Sequence, residues 1–249
     1  MVFSLKKLTS ITAFTTLLSF PFVSSNLIAA ETIESYADKT KKSMEKMQKK
    51  RTTWTEADRA IMKAASDKLA NELPDPGLKA GNKAPNFSLK NAHGELVELS
   101  QELKKGPVVL VFYRGAWCPY CNLHLHALKK ALPEFEKYDA QVIAISPQSP
   151  DKSAEQVKKD GFPFEVLSDS TSKVMKDYKL YFELPKDLMR VYKEHGLDIE
   201  EFNGEGRGGL PTPGAFIIDT NGMIKAMQAE VDYKSRMAPE DILKALAEL

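Results

Sequence analysis

Both cysteines of the chain lie in one stretch, RGAWCPYC, at residues 114–121. A C-x-x-C closes so short a loop that a disulfide there adds little stability. The spacing suits redox work instead, in which one thiolate attacks and a second thiol resolves. A thiolate is the reactive form, and the N-terminus of a helix favours it through free N–H groups and the positive end of the dipole. Pro119 fits the first helical position, where a missing N–H costs no hydrogen bond. Cys118 is therefore expected at the cap and Cys121 in the first turn. Cys121, Leu125, Leu128, Leu132 and Phe135 recur at helical spacing and form a stripe that faces a core. Cys121 is expected at the exposed end of that buried stripe, with Cys118 before it at the rim. On this geometry Cys118 is the accessible nucleophile and Cys121 the resolving thiol.

The neighbours admit two readings each. Arg114 could stabilise a thiolate or a developing oxyanion, or could form a surface salt bridge. Trp117 and Tyr120 could shape a docking surface or cover the end of the core. His124 and His126 extend the motif to C-x-x-C-x-x-H-x-H, but a zinc site needs four converging ligands and no second C-x-x-C exists. On a helix turning ~100° per residue, positions two apart diverge, so no metal is expected. His195 carries no pattern.

The elements that must position the pair follow from hydrophobic periodicity. VVLVFY (108–113) is an unbroken apolar run, as for a strand buried on both faces. A helical pattern follows from about residue 119 to 138, with Pro133 inside it, and then a second buried run, VIAIS (142–146). Strand, helix, strand at this spacing is a parallel crossover unit. FSL (87–89) and LVEL (96–99) suggest a hairpin. A helix is expected over 151–160, with a strand at FEVL (164–167). AFIID (215–219) and MIKAM (223–227) flank an Asn-Gly turn, and an amphipathic helix closes the chain at 239–249. Residues 172–212 resist assignment. Upstream, Ile61, Ala65, Leu69 and Leu73 mark one face of a helix over 54–73, which PDPG (74–77) stops. That helix is expected to pack on the main domain; the alternatives are a docking arm or a homodimer contact. The expected fold is an α/β sandwich, a mixed central sheet with helices on both faces. The pair sits at the carboxyl end of a central strand, where open α/β sheets bind ligands.

Composition narrows the partners. Lys and Arg number 35 against 34 Asp and Glu, so no field invites nucleic acid or an anionic membrane surface. Lys6 and Lys7, the uncharged stretch 8–24 and the small residues Ala29 and Ala30 read as an export leader cleaved after Ala30. The organisation expected is a signal peptide at 1–30, a helical extension at 31–77 and the main domain at 78–249. An exported protein meets an oxidising compartment, periplasmic or secreted, where paired cysteines readily close.

Three blocks carry a family resemblance: GNKAPNFSL (81–89), GPVVLVFYRGAWCPYCN (106–122) and TPGAFIIDTNG (212–222). They resemble the peroxiredoxins of the AhpC/TSA group within the thioredoxin fold, most nearly the subgroup with a C-x-x-C. The resemblance implies a thioredoxin-like sandwich over residues 78–249. In that family FY is followed by Pro, then by Thr or Ser, then by the peroxidatic Cys. Here Arg114 stands where the Pro would be, Cys118 at the Thr position and Cys121 at the peroxidatic one. The family's supporting Arg falls on Pro213. Only the peroxidatic cysteine carries over. Pro213, with Thr212 before it, instead resembles the cis-proline that faces the C-x-x-C of thioredoxin-like exchangers, where the preceding backbone pairs with a substrate strand.

Two activities stay open. One is peroxide reduction, with a Cys121 sulfenic acid resolved by Cys118. The other is thiol–disulfide exchange with Cys118 as nucleophile. The first is the reading adopted, because the resemblance extends beyond the motif. A metal-binding or redox-sensing protein is a third class. Peroxide or disulfide is the implied substrate, and a thioredoxin-like or other thiol the electron donor. No bound cofactor is implied, since the cysteines carry the electrons.

Overall fold

The computed structural model describes residues 40–42, 45 and 54–249. The export leader expected at 1–30 lies outside the described residues.

Helix α1 (Glu56–Glu72) opens with a capping box: Asp58 N–H donates to Thr55 Oγ1, and the Asp58 carboxylate accepts the Thr55 N–H. Its stripe is half-buried. Ile61, Met62 and Ala65 pack against a cluster built from Leu184, Leu188, Tyr192, Ile199 and Leu210. The helix thus docks on the main body, as expected.

Seven strands form the central sheet: β1 (Ser88–Asn91), β2 (Leu96–Glu98), β3 (Val108–Phe112), β4 (Gln141–Ser146), β5 (Glu165–Ser168), β8 (Gly214–Ile218) and β9 (Ile224–Ala229). Their order is β2-β1-β5-β4-β3-β8-β9. β3, β4 and β5 run parallel, and the other pairings are antiparallel. Strand side chains alternate between faces, and β3 shows the consequence. Val109, Val111 and Tyr113 join Leu125, Leu128 and Phe135 on one side. Val108, Leu110 and Phe112 join Ile143, Phe216 and Tyr178 on the other. The first side is covered by α3 (Pro119–Phe135), α4 (Pro150–Asp160) and α8 (Pro239–Ala247). The short helices α2 (Leu99–Glu102) and α5 (Lys173–Asp177) lie on the second. Pro133 sits in the last turn of α3, and a 3-10 turn at Glu136–Tyr138 completes the run expected to 138.

The segment 172–212, which the sequence pattern leaves unassigned, folds into defined elements. It holds α5, β6 (Tyr181–Glu183), α6 (Lys186–Glu194), α7 (Ile199–Asn203) and β7 (Gly209–Pro211), with β6 and β7 paired antiparallel outside the main sheet. The apolar spacing Leu188, Val191, Tyr192 in α6 was the available sign. His195 ends that helix. It pairs with Asp58 at 3.1 Å and stacks on Trp54 at 4.6 Å, tying α1 to α6.

Leu128 is fully buried between α3 and the sheet. Leu128→Ala is expected to lower stability by ~2–5 kcal/mol, read as an earlier urea midpoint. An unchanged midpoint would contradict this packing.

Candidate functional site

β3 delivers the chain to the site, and six residues separate its end from α3. Cys118 is the N-cap of α3 with extended dihedrals, Pro119 takes the first helical position, and Cys121 lies in the first turn. The Cys118 carbonyl accepts the Asn122 N–H and starts the helix. Gly115, at φ +145°, makes the turn possible: a Cβ there would meet Trp117 Nε1 at 2.5 Å.

A buried amide network fixes that turn. Gln148 Oε1 accepts the Ala116 N–H at 2.9 Å, and Asn122 Nδ2 donates to the Ala116 carbonyl at 2.6 Å. Gln156 Nε2 donates to Asn122 Oδ1, while Gln156 Oε1 accepts from the Tyr113 hydroxyl and from Gln148 Nε2. Buried amides are stable where they are satisfied in this way. None of these side chains stood out in the sequence. Gln148 follows the carboxyl end of β4 and Gln156 lies on α4, so only the fold brings them beneath the turn.

The two thiols are free and hydrogen-bonded, with their sulfurs 2.7 Å apart. Both are buried, at 1% exposure for Cys118 and none for Cys121. This corrects the expectation that Cys118 stands accessible at a rim. The cause is the loop 230–238 between β9 and α8, which packs Tyr233 and Met237 onto the cluster that contains both cysteines.

That loop also carries the residue the sequence did not reveal. Arg236 places Nη2 3.4 Å from Cys121 Sγ. Its other nitrogen donates to the carbonyls of Tyr233 and of Ser235 (2.6 Å), which holds the guanidinium in place. A cation therefore reaches the peroxidatic position from a segment far from Pro213, where the family pattern would put it. No periodicity marks the loop, so no sign of this existed in the sequence.

Arg114 is buried, and this overturns the surface salt bridge. Its guanidinium lies between the rings of Trp117 (4.8 Å) and Tyr233 (4.7 Å). Among the described residues no carboxylate pairs with it. Burial acts against its charge, but Tyr192 and the two cysteines outweigh that and raise its pKa. Tyr120 is buried and meets Tyr233 edge-on at 5.5 Å, so it covers the end of the core and backs the loop.

The cysteines diverge in acidity. Burial pushes the Cys118 thiol up, reinforced by the neighbouring Cys121 sulfur. Burial resists ionisation of Cys121 as well, but the Cys118 thiol, Arg236 and Arg114 outweigh it and pull Cys121 down to about 5. With Arg236 in contact with Cys121 Sγ, the balance of these effects favours the thiolate at Cys121 over Cys118. This reverses the order that the helix geometry alone suggested.

The exchanger features are weaker here than the sequence implied. The Thr212–Pro213 bond is trans. The Thr212 N–H and hydroxyl both donate to the Leu180 carbonyl, at 2.8 and 3.2 Å, and Pro211 pairs with Tyr181 across β6 and β7. The backbone before Pro213 is therefore engaged with this chain's own strand. Thr212 and Pro213 line a cleft of about 500 Å³ together with Arg114, Tyr192, Tyr233 and Leu69 of α1.

His124 and His126 diverge as their spacing requires. His124 is buried and donates from Nε2 to the Met237 carbonyl at 2.9 Å. Burial, then Arg236, pulls its pKa down to about 3, so it stays neutral. His126 packs on Phe162 and lies 3.7 Å from Asp160.

Arg236→Met is expected to move the midpoint of the pH–rate profile for thiol alkylation up from about 5, toward the ordinary thiol range. The sign follows from removing a cation that favours the thiolate. An unmoved midpoint would show that Arg236 does not stabilise Cys121.

Comparison with known proteins adds to this geometry. The sequence profile described as the AhpC/TSA family matches residues 80–227. The chain is similar to chloroplastic peroxiredoxin Q of Oryza sativa subsp. japonica, 30% identical over 163 residues that make up 66% of this chain and 62% of the rice protein. It is also similar to peroxiredoxin Bcp of Bacillus subtilis (strain 168), 29% identical over 65% of this chain and 91% of that one. In three dimensions it resembles the crystal structure of the peroxidoxin BcpB from Mycobacterium tuberculosis, with a TM-score of 0.55 and 23% identity, covering 69% of this chain and 98% of that one. At that identity the structural likeness speaks for the fold alone.

Proposed function

Since the chain belongs to the AhpC/TSA family, we propose that it is a thiol-dependent peroxidase that reduces hydrogen peroxide or organic hydroperoxides. The observation that carries this reading is the guanidinium of Arg236 3.4 Å from Cys121 Sγ, a cation set on the sulfur at the peroxidatic position, where it favours the thiolate.

The Cys121 thiolate attacks the outer oxygen of the peroxide. An S–O bond forms, the O–O bond breaks, and the departing alkoxide or hydroxide takes a proton from solvent, equivalent to the one Cys121 released on ionising. Arg236, in contact with the attacking sulfur, and the buried Arg114 are the cations at hand for the negative charge that develops, in a site shielded from water. Cys121 is left as a sulfenic acid. The Cys118 sulfur then attacks it: the S–S bond forms, the S–O bond breaks, and water leaves with the Cys118 proton. The sulfurs already lie 2.7 Å apart, so resolution needs little rearrangement. A thioredoxin-like or other thiol donor supplies two electrons to reopen the disulfide. The engaged Thr212 backbone and the protonated Cys118 argue against the exchanger reading.

The reading extends to address and organisation. The leader at 1–30 supports export, followed by a helical extension at 31–77 and a catalytic domain at 78–249. Mass spectrometry of the mature protein is expected to find Glu31 at its N-terminus; an intact Met1 would count against export by cleavage.

The activity is tested by mixing reduced protein with hydrogen peroxide and following Trp fluorescence, with Trp117 beside the pair as reporter. Cys118→Ser is expected to react at a rate near wild type and to accumulate sulfenic acid on Cys121. Cys121→Ser is expected to lose at least about 10²-fold, as for loss of an activated nucleophile. If all three react no faster than a free thiol, the peroxidase reading fails.

A further inference from the structure

We propose that the cleft beside the cysteine pair binds an apolar monocarboxylate, with its headgroup on Arg114 and its hydrocarbon body along α1, and holds it more tightly once the disulfide has closed. Arg114 lines this cleft and is 5% exposed. Its Nε has no hydrogen-bond partner. The rings of Trp117 and Tyr233 cover the guanidinium but bring no negative charge to it. A guanidinium carries five donors in a planar fork, so capacity is left for an oxyanion. A carboxylate matches that fork, and its single charge matches a single buried cation. A phosphate would bring a second charge into the same buried place, at a cost in desolvation.

The rest of the lining selects the body. Met62, Ala65 and Leu69 of α1 contribute one wall, and Phe182, Leu188 and Val231 add apolar surface from three other segments. The acidic side chains of the lining are engaged: Asp67 with Lys63 at 2.6 Å, Glu72 with Lys68 at 3.7 Å, Asp232 with Lys234 at 3.9 Å, and Glu183 with the Tyr181 hydroxyl. Those three lysines are exposed, which leaves Arg114 as the buried cation of the cleft. The volume of about 500 Å³ falls within the range of small-molecule sites, ~300–1,000 Å³. α1 lies outside the residues that match the family profile, 80–227, so this wall is an addition to the matched domain.

The preference for the disulfide form follows from charge. In the reduced protein both cysteines favour the charged form of Arg114, and Arg114 in turn favours the thiolate at Cys121. The sulfur anion thus offsets part of the guanidinium's charge. Closing the disulfide removes that anion and leaves the guanidinium in place. A carboxylate entering the cleft then meets an unopposed cation in the disulfide form and a partly offset one in the dithiol form. By linkage, a bound carboxylate favours the disulfide by the same factor. The ligand is neither oxidised nor reduced. Its binding is read without turnover and does not depend on the peroxidase reading above.

The full chain is prepared as the dithiol and as the diamide-closed disulfide, and sodium octanoate is titrated into each by calorimetry at roughly pH 7, where the carboxylate is ionised. Octanoate is expected to bind the disulfide form at least about tenfold more tightly than the dithiol form. Acetate, a headgroup without a body, and octanol, a body without a charge, are both expected to bind more weakly than octanoate. Arg114→Gln removes the cation, and Leu69→Glu sets a carboxylate in the α1 wall; each is expected to weaken octanoate binding at least about tenfold. Urea midpoints show whether the variants fold, and Leu69→Glu, at a half-buried position of α1, decides if Arg114→Gln does not. Absence of binding to either form, equal affinity for the two, octanol held as well as octanoate, undiminished binding by Leu69→Glu, or failure of diamide to join the pair would overturn the proposal. If the redox-dependent binding is found in a protein inert to peroxide, the peroxidase reading falls and the carboxylate site stands.

Discussion

A thiolate buried away from water needs cations and donors to replace the solvent it has lost. The contact between Arg236 and Cys121 Sγ meets that need, and most of the site can be understood as its support. Cys121 is placed by the first turn of α3, and α3 is placed by its apolar stripe against β3. Arg236 is placed by its own bonds to the Tyr233 and Ser235 carbonyls. Tyr233 in turn stacks on Arg114, which Trp117 covers on its other face. Removing any one of these leaves a buried charge or ring without its counterpart.

The same contact divides the work between two chemically identical side chains. Position in a helix would favour Cys118, which caps α3. The Cys118 thiol and the guanidinium from a distant loop together outweigh that preference and favour the charge three residues on. Cys118 keeps a proton and stays within bonding distance, which is what a resolving thiol requires. Burial of both sulfurs restricts the chemistry to small or well-fitted reactants. It also makes the loop 230–238 part of the machinery rather than a connection.

Much of the frame was legible from residue patterns. The unbroken run at 108–113 and the spacing from Cys121 to Phe135 gave β3 and α3, because a buried strand and an amphipathic helix each leave a period in the sequence. The hairpin at 214–229 was announced by its Asn-Gly turn. What stayed hidden depends on contacts between distant segments. Arg236 sits in a loop without periodicity, and its role exists only because α8 and β9 bring that loop over the cysteines. Gln148 and Gln156 look like ordinary surface amides until the turn at Ala116 closes on them. The burial of Cys118 and the engagement of Thr212 by Leu180 are likewise products of the insertion and the loop. Helix phase describes one element at a time and carried no information about either.

The central claim is that Cys121, rather than Cys118, carries the charge in the reduced protein. The most direct measurement is competitive alkylation of the wild-type thiols by limiting iodoacetamide at roughly pH 6, where an ordinary thiol is almost wholly protonated, with the label located by mass spectrometry. The account predicts label on Cys121 with little on Cys118. Label chiefly on Cys118 would contradict it and return the first attack to the capping sulfur.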